Sequence, residues 1–238
     1  MQVDYVVVGG GYAGLMCGKS LIEKGFDVLI FEMKEIGGEL SVFAKLSEFR
    51  EKYEEYISEV EQLKKEVNVE KGTVIKSKPV IVSAENGLRR LEARKIVLCT
   101  GASDRIPPKL NIISKRISGI YTLDNALRMV ANEEKLGKRV LLTGSDRILE
   151  LAETQFCNLG YDTELIELEG DIKIIGKNKI EGVEIAGNEY RCDTLIICNG
   201  REPFNPLKLK GLPVGNVSAC TYDYSKVEKN VKKFISNL

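Results

Sequence analysis

The sequence contains no histidine and carries no net charge. Its 35 Lys and Arg residues balance 35 Asp and Glu residues, so no net field favours nucleic acid or an anionic membrane as a partner. The absence of histidine excludes a histidine general base, a Ser-His-Asp triad and histidine metal ligands. We therefore expect no metal site, no nucleic acid partner and no membrane insertion.

Long apolar runs are also absent, since none reaches the roughly 18 residues that span a bilayer. The first residues enter a β-branched run directly, and they carry Asp4 without the basic n-region of a signal peptide. These absences predict a cytoplasmic protein.

The cysteines include no CxxC pair. They are Cys17, Cys99, Cys157, Cys192, Cys198 and Cys220. All except Cys192 and Cys220 have apolar neighbours, which predicts buried, unpaired thiols of the kind found in a reducing compartment.

What the chain does contain is an internal repeat. Residues 3–8 and 139–143 are short β-branched runs, each followed by a glycine-bearing turn and a helix-compatible segment. Later in the chain, residues 95–101 (KIVLCTG) match residues 194–200 (TLIICNG).

The repeat extends to two acidic residues. A second strand in each half ends in an acid, and Gly9 precedes Glu32 by the same 23 residues that separate Gly144 from Glu167. Alternating strands and helices of this kind predict parallel α/β sheets.

We expect an α/β fold of two Rossmann-like nucleotide-binding domains, the second inserted into the first. The first comprises residues 1–104 and 203–238, and the second comprises residues 105–202. Between the first two strand units, apolar residues at helical spacing over residues 46–67 predict one amphipathic helix that packs on the core.

The first repeat carries the motif Gly9-x-Gly11-x-x-Gly14 between an apolar strand and a helix. Gly9 permits the tight turn, Gly11 lets a pyrophosphate approach the backbone, and Gly14 lets the helix pack on the strand. The helix N–H groups attract phosphates, and Glu32 can accept hydrogen bonds from both hydroxyls of an adenosine ribose. The motif predicts a dinucleotide site; the alternative is a glycine-rich turn in an ordinary α/β protein.

Two further glycine motifs carry a family resemblance. A Gly37-Gly38 pair follows Glu32, and Thr100-Gly101 ends a strand-like run. Together with the first motif they resemble the thioredoxin reductase and pyridine nucleotide–disulfide oxidoreductase superfamily over most of the chain. This resemblance implies that the dinucleotide is FAD, that Glu32 binds its ribose, and that Gly38 and Thr100-Gly101 lie beside the cofactor.

A narrower resemblance lies near the end of the chain, where Gly215-Asn216-Val217 precedes an acid-containing helical segment. This segment and residues 119–130 resemble the small FAD-dependent oxidoreductases that accompany anaerobic glycerol-3-phosphate dehydrogenases. The resemblance implies a partner dehydrogenase subunit and places Gly215 and Asn216 at the flavin's phosphate and ribityl groups. The further FAD contacts that it implies are Tyr12, Ala13, Met33 and Val74.

The second glycine motif is damaged. Gly144 is present, but Asp146 and Leu149 stand where the second and third glycines belong. A carboxylate at about 4 Å from a phosphate costs roughly 1 to 4 kcal/mol, depending on the effective dielectric, although Arg147 could pair with a phosphate. We expect weak or absent NAD(H) binding, with Glu167 favouring NAD over NADP.

The redox disulfide of the resembled superfamily is also missing. The segment after Gly37-Gly38 reads ELSVF rather than carrying a CxxxxC pair. Disulfide exchange needs an attacking and a resolving thiol, so we expect an FAD-dependent oxidoreductase without a redox disulfide. Cys99 and Cys198 are interpreted as core residues of their strands.

The sequence identifies no catalytic side chain, because a bound flavin would itself carry the redox chemistry. The leading hypothesis is an electron-transfer flavoprotein subunit that works with a partner dehydrogenase. One alternative is a standalone NADH-dependent flavin reductase or oxidase. Another is a non-catalytic scaffold subunit that holds FAD.

Overall fold

A computed structural model of the chain describes residues 2–105, 117–168 and 170–238. The chain divides into two compact units, each of which is described by itself. Unit 1 comprises Met1–Ala44, Tyr53–Ser103 and Glu202–Leu238, and unit 2 comprises Lys45–Lys52 and Asp104–Arg201.

Strands and helices alternate through most of the chain. The strands are β1 (Gln2–Val8), β2 (Val28–Glu32), β3 (Val69–Lys71), β4 (Thr73–Ser77), β5 (Val80–Ala84), β6 (Gly87–Leu98), β7 (Ala102–Asp104), β8 (Ile120–Thr122), β9 (Arg139–Gly144), β10 (Asp162–Glu167), β11 (Ile172–Ile175), β12 (Gly182–Ile185), β13 (Asn188–Tyr190), β14 (Thr194–Cys198), β15 (Arg201–Pro203) and β16 (Leu212–Pro213). The helices are α1 (Tyr12–Glu23), α2 (Glu39–Phe43), α3 (Ser47–Lys52), α4 (Glu54–Glu66), α5 (Leu123–Ala131), α6 (Ile148–Asn158), α7 (Asn216–Ala219) and α8 (Tyr224–Ser236).

Unit 1 is built on a parallel sheet in the order β3-β2-β1-β6-β16. The first half of β6 also pairs with the antiparallel hairpin β4-β5. The central strand β1 is largely buried on both faces, as expected for a parallel strand.

Unit 2 has a parallel sheet in the order β10-β9-β14-β8 and a separate antiparallel sheet, β11-β12-β13. The apolar faces of the two sheets meet in one core, which includes Leu141, Val183, Leu195 and Ile197. The short strands β7 and β15 pair where the chain passes from one unit to the other.

The α/β fold predicted from the repeat is confirmed, and so are the repeat's three correspondences. In unit 1, Val8 pairs with Phe31 on one side and with Leu98 on the other. The residues that follow them, Gly9, Glu32 and Cys99, therefore lie side by side. In unit 2, Gly144 pairs with Glu167 and with Cys198. The glycine that ends the first strand therefore meets equivalent neighbours in both units.

The single helix predicted over residues 46–67 is wrong. Two helices, α3 and α4, flank Tyr53, whose φ of −111° and ψ of 20° break the helix. The stripe is nevertheless largely buried, since Phe49, Tyr53, Val60 and Leu63 are all 4% exposed or less.

The first domain was expected to include residues 45–52, but these residues group with unit 2. There the side chain of Gln155, on α6, accepts a hydrogen bond from the Glu48 N–H at 3.0 Å, and Asn158 donates to the Glu48 carboxylate at 2.9 Å. These contacts join residues that are 107 and 110 positions apart in sequence, and no local pattern predicts them.

Burial of the cysteines differs from the prediction at one position, Cys157. All six are free thiols. Cys17, Cys99 and Cys198 are buried as predicted, whereas Cys157 is exposed and Cys192 is buried. Cys157 lies on the outer side of α6, where its sulfur is 2.8 Å from the Thr163 hydroxyl.

A buried ion-pair cluster lies in unit 2 at the strands that enter and leave it. Arg201 Nη2 is 3.3 Å from Asp124 Oδ2, and Arg201 Nε is 3.9 Å from Asp104 Oδ1. Asp104 also accepts the Asp124 N–H at 2.7 Å, at the start of α5. The two carboxylates compensate the buried guanidinium, which would otherwise be costly.

Across the described ranges, the helices are too short or too polar to cross a membrane.

Two glycines of α1 provide a matched test of the packing in unit 1. A Cβ on Gly14 would lie 1.9 Å from the backbone oxygen of Gly9, whereas a Cβ on Gly18 would meet the flexible end of Ile30 at 2.2 Å. We predict that Gly14→Ala lowers the free energy of unfolding by roughly 1–3 kcal/mol through overpacking, despite alanine's higher helix propensity. Gly18→Ala should cost less, because the Ile30 side chain can rotate away. Urea denaturation of both variants measures the difference, and equal losses would contradict the packing argument.

Candidate functional site

The turn between β1 and α1 is shaped by two backbone contacts. Gly9 has a φ of +106°, and a Cβ there would lie 2.3 Å from the Cys99 carbonyl oxygen. Gly14 approaches the Gly9 carbonyl so closely that a Cβ would overlap it. Both positions therefore require glycine, and together they bring the start of α1 against the ends of β1 and β6.

Gly11 differs from both, because it borders open space. A Cβ on Gly11 would meet only the Cα of Gly38 within 4 Å of the protein's own described atoms, at 3.8 Å. Gly11 is also the N-cap of α1, and no side chain in the described part of the chain caps this helix. The N–H groups at the start of α1 thus face a space that a phosphate can enter.

The Glu32 carboxylate is held rigidly beside this turn. Its Oε2 accepts the Gly10 N–H and its Oε1 accepts the Lys34 N–H, both at 2.7 Å. Each carboxylate oxygen can accept a further hydrogen bond, so the group is pre-oriented to bind a pair of hydroxyls.

Two other predicted residues border the same turn. Gly38 faces Gly11, and the Gly37 N–H donates to the Gly10 carbonyl at 2.8 Å. Gly215 has a φ of +78°, and a Cβ there would overlap the Ala13 side chain at 2.2 Å. The chain before α7 therefore passes directly over the first turn of α1.

Thr100 contributes an unsatisfied group beside the turn. Its Cα would lie 3.3 Å from a Cβ on Gly9, and its hydroxyl is buried without a hydrogen-bond partner among the described residues. Gly101 follows with a φ of +81°. A buried hydroxyl without a partner is costly, and here it lies at the edge of the candidate site.

The remaining predicted contacts are placed differently. The Val74 side chain is 3% exposed within the core of unit 1. Met33 follows Glu32 and is 42% exposed. Asn216 is buried, and its Oδ1 accepts the Thr221 N–H at 3.0 Å, which gives it a role in closing the turn after α7.

Three residues that the sequence did not single out support the site. Gly10 supplies the N–H that orients Glu32, and the Asn230 side chain accepts the Gly215 N–H at 2.7 Å. Glu59, on α4, accepts the Tyr12 hydroxyl at 2.7 Å. Gly10 could have been noticed as part of the Gly9–Gly11 run, whereas the partners of Asn230 and Glu59 are distant in sequence.

The electrostatics around Tyr12 keep its phenol protonated. Burial, followed by the hydrogen bond to Glu59, strongly raises the pKa of Tyr12, and the charge of Glu228 acts in the same direction. Beneath the turn, a hydrogen bond to Cys17, together with burial, raises the pKa of Cys99. The Cys99 thiol is therefore a packing group rather than a nucleophile.

The equivalent turn in unit 2 is closed by its own side chains. Asp146 Oδ1 accepts the Ile148 N–H at 3.1 Å, so a carboxylate already occupies a helix N–H that a phosphate would use. Leu149 stands where Gly14 stands in unit 1, is 2% exposed, and would approach a Cβ on Gly144 at 3.1 Å. Unit 2 thus keeps the strand-turn-helix order, but one of its helix N–H groups is already bonded to a carboxylate.

The residues of unit 1 fit a dinucleotide. Gly11 leaves a space, which we call the cradle, that a side chain would fill, and the start of α1 has no side-chain cap. Because β2 pairs with β1, Glu32 lies beside the turn that carries Gly11. The arrangement can hold a pyrophosphate at the helix and a ribose at the carboxylate.

Comparison with known proteins identifies relatives of the same type. Residues 3–179 match the family model described as pyridine nucleotide-disulphide oxidoreductase. The ferredoxin–NAD(+) reductase component of a 3-phenylpropionate/cinnamic acid dioxygenase from Photorhabdus laumondii is 31% identical over 178 residues, which are 71% of this chain and 44% of that protein.

Solved structures agree. The L-proline dehydrogenase from P. horikoshii is 26% identical with a TM-score of 0.67, over 85% of this chain and 43% of that chain. The HOCl-induced flavoprotein disulfide reductase RclA from Escherichia coli shares the fold, with 14% identity and a TM-score of 0.66 over 98% of this chain and 70% of that chain. The chain spans less than half the length of the reductase component and of the proline dehydrogenase.

Gly11 provides the test of the cradle. A methyl group at this position meets nothing in the protein closer than 3.8 Å, so Gly11→Ala should unfold at the same urea concentration as the wild type. It should nevertheless bind FAD at least about tenfold more weakly, a loss of about 1.4 kcal/mol, because the methyl group occupies the pyrophosphate's approach. Fluorescence titration of FAD into both proteins measures this. Unchanged affinity in the folded variant would show that the pyrophosphate does not pass over Gly11.

Proposed function

The chain belongs to the pyridine nucleotide-disulphide oxidoreductase family, which uses FAD and NAD(P)H, and we propose that it is the FAD-binding electron-transfer subunit of a larger dehydrogenase. The observation that carries the proposal is the contrast between the two turns. The turn of unit 1 is open at Gly11, and no side chain bonds the first N–H groups of α1 in the described part of the chain, whereas in unit 2 the Asp146 carboxylate accepts the N–H of Ile148, the first residue of α6.

In unit 1, the chain's own residues bind and orient the cofactor. The backbone N–H groups at the start of α1 hold the pyrophosphate, with the helix dipole adding to the attraction. Glu32 accepts hydrogen bonds from the ribose hydroxyls, and bonds to a charged group are worth about 1.5–3 kcal/mol each. Gly38, Thr100 and Gly215 would border the rest of the cofactor. When bound, the flavin supplies the redox chemistry.

In unit 2, the same physical chemistry disfavours a nucleotide. The Asp146 carboxylate repels a phosphate and competes for the N–H of Ile148. We therefore expect NAD(H) to bind weakly, and a bound flavin would exchange electrons with another protein. The missing CxxC and CxxxxC pairs remove the route through a redox disulfide.

The partner in this proposal is a dehydrogenase of the glycerol-3-phosphate dehydrogenase type. The motif Gly215-Asn216-Val217 supports this choice through its resemblance to the small subunits of such enzymes. A relative that is named as the reductase component of a dioxygenase supports the more general point that chains of this family work within multicomponent enzymes.

Anaerobic reduction of the FAD-loaded chain by different donors tests the proposal. NADH alone should bleach the flavin absorption slowly, and dithionite should bleach it fully. Glycerol 3-phosphate should bleach it rapidly only when a dehydrogenase subunit of that class is added. Rapid bleaching by NADH alone would instead support a standalone NADH-dependent reductase, and bleaching by dithionite alone would support a scaffold that holds FAD.

Replacement of Asp146 separates the two effects in unit 2. Asp146→Asn removes the charge but keeps an oxygen that can cap the Ile148 N–H, whereas Asp146→Gly removes both. We predict that Asp146→Gly binds NADH about fivefold more tightly than the wild type, or about 1 kcal/mol, with Asp146→Asn in between. Isothermal titration measures all three proteins. A micromolar wild-type affinity that neither variant changes would mean that the turn holds the nucleotide by another group, such as Arg147.

A further inference from the structure

Four tyrosines form a continuous group at the start of α1. The ring of Tyr12 lies 5.6 Å from Tyr56 and 5.9 Å from Tyr224, centroid to centroid. Tyr224 is 5.5 Å from both Tyr56 and Tyr53, and Tyr53 stacks on Phe43 at 4.9 Å. We call Tyr12, Tyr53, Tyr56 and Tyr224 the tyrosine cluster; its rings come from α1, α4, α8 and the residue that precedes α4.

Two phenols of the tyrosine cluster donate hydrogen bonds to carboxylates. Tyr12 donates to Glu59 Oε2 at 2.7 Å, and Tyr224 donates to Glu39 Oε2 at 2.8 Å. Glu39 directly follows Gly38, and Tyr12 directly follows Gly11. Two members of this hydrogen-bonded group, Tyr12 and Glu39, therefore lie next to glycines of the candidate cofactor site.

One ring of the tyrosine cluster is accessible to solvent. Tyr12, Tyr53 and Tyr224 are 3%, 4% and 5% exposed, whereas Tyr56 is only half-buried. The rings thus lead from the glycine turn to a tyrosine that solvent reaches.

Buried tyrosine rings whose phenols bond to carboxylates are not needed for tight packing. Aromatic packing alone would be served by phenylalanine, and burying a hydroxyl beside a carboxylate costs desolvation unless the bond is made. A phenol that loses an electron becomes a far stronger acid, so its oxidation is easy only where a base takes the proton at once. The carboxylates of Glu59 and Glu39 are bases at hydrogen-bond distance from the two phenols.

We propose that the tyrosine cluster is a second redox site, which takes up an oxidising equivalent at Tyr12 and passes it to Tyr56. A strong one-electron oxidant removes one electron from the Tyr12 phenol; the O–H bond breaks, the proton moves to Glu59, and a neutral tyrosyl radical remains. The Tyr12 radical is then reduced by an electron from Tyr56, directly or through Tyr224, while Glu59 returns the proton to the Tyr12 oxygen. The half-buried Tyr56 phenol releases its own proton to solvent, so the radical then lies on Tyr56. The role of the tyrosine cluster for the cofactor, which is to remove damaging oxidising equivalents, rests on the proposed function. The oxidation of the tyrosines themselves does not depend on that function.

The experiment uses the full chain without added FAD, so that its result does not depend on FAD binding. Photogenerated tris(bipyridine)ruthenium(III), with persulfate as the final electron acceptor, supplies the one-electron oxidant. The tyrosyl radical is measured by electron paramagnetic resonance, and its rate of formation is compared in H2O and D2O. Tyr5→Phe is the matched control, because Tyr5 is also buried in unit 1 but packs against Phe26 and beneath the Lys95 ammonium.

We expect Tyr12→Phe to lose most of the buried-radical signal and Tyr5→Phe to retain it. Glu59→Gln, which keeps the side chain's shape but removes the base, should slow radical formation and abolish the D2O effect. Tyr56→Phe should still form the radical but lengthen its lifetime, because the radical can no longer pass to residue 56. The proposal is overturned if Tyr5→Phe and Tyr12→Phe behave alike. If Tyr12→Phe fails to fold, an unchanged D2O effect in Glu59→Gln overturns it as well.

Discussion

Close backbone packing of α1 against the ends of β1 and β6 is the contact on which the candidate site depends. Gly14 rests on the Gly9 carbonyl, and Gly9 rests on the Cys99 carbonyl, with no room for a Cβ at either position. This stack fixes the first turn of α1 at the edge of the sheet, where its N–H groups point into open space beside Gly11. Glu32 reaches the same place because β2 pairs directly with β1. The cradle is therefore a consequence of how tightly three backbone segments approach.

The two units show what happens when that packing is kept or lost on the same topology. Both place a glycine against the carbonyl of a strand-end cysteine, Cys99 in unit 1 and Cys198 in unit 2. In unit 2, Leu149 places a buried side chain at the position that Gly14 occupies in unit 1. Asp146 then caps the helix internally. In unit 2 a carboxylate thus already accepts a helix N–H that a phosphate would use, which is why we assign the cofactor to unit 1.

Patterns with a fixed period or spacing were readable from the sequence. The strands of the two repeats, the register of Gly9 with Glu32 and Cys99, and the equivalent register in unit 2 follow from short runs and a repeated 23-residue separation. Contacts between distant segments were not readable, because no local pattern encodes them. The support of Gly215 by Asn230 belongs to this class, as do the attachment of residues 45–52 to unit 2 and the break at Tyr53. Apolar neighbours also failed to predict exposure at Cys157, since they do not say which side of a helix faces outward.

The most direct test of the account is the absorption spectrum of the purified chain, followed by quantification of the nucleotide that denaturation releases. The account predicts a flavin spectrum, with one FAD released per chain and no nicotinamide nucleotide, since one turn is open and the other is capped. A colourless protein whose addition leaves the fluorescence of free FAD unquenched would contradict the assignment of unit 1. Release of bound NAD(H) in equal amount would contradict the assignment of unit 2.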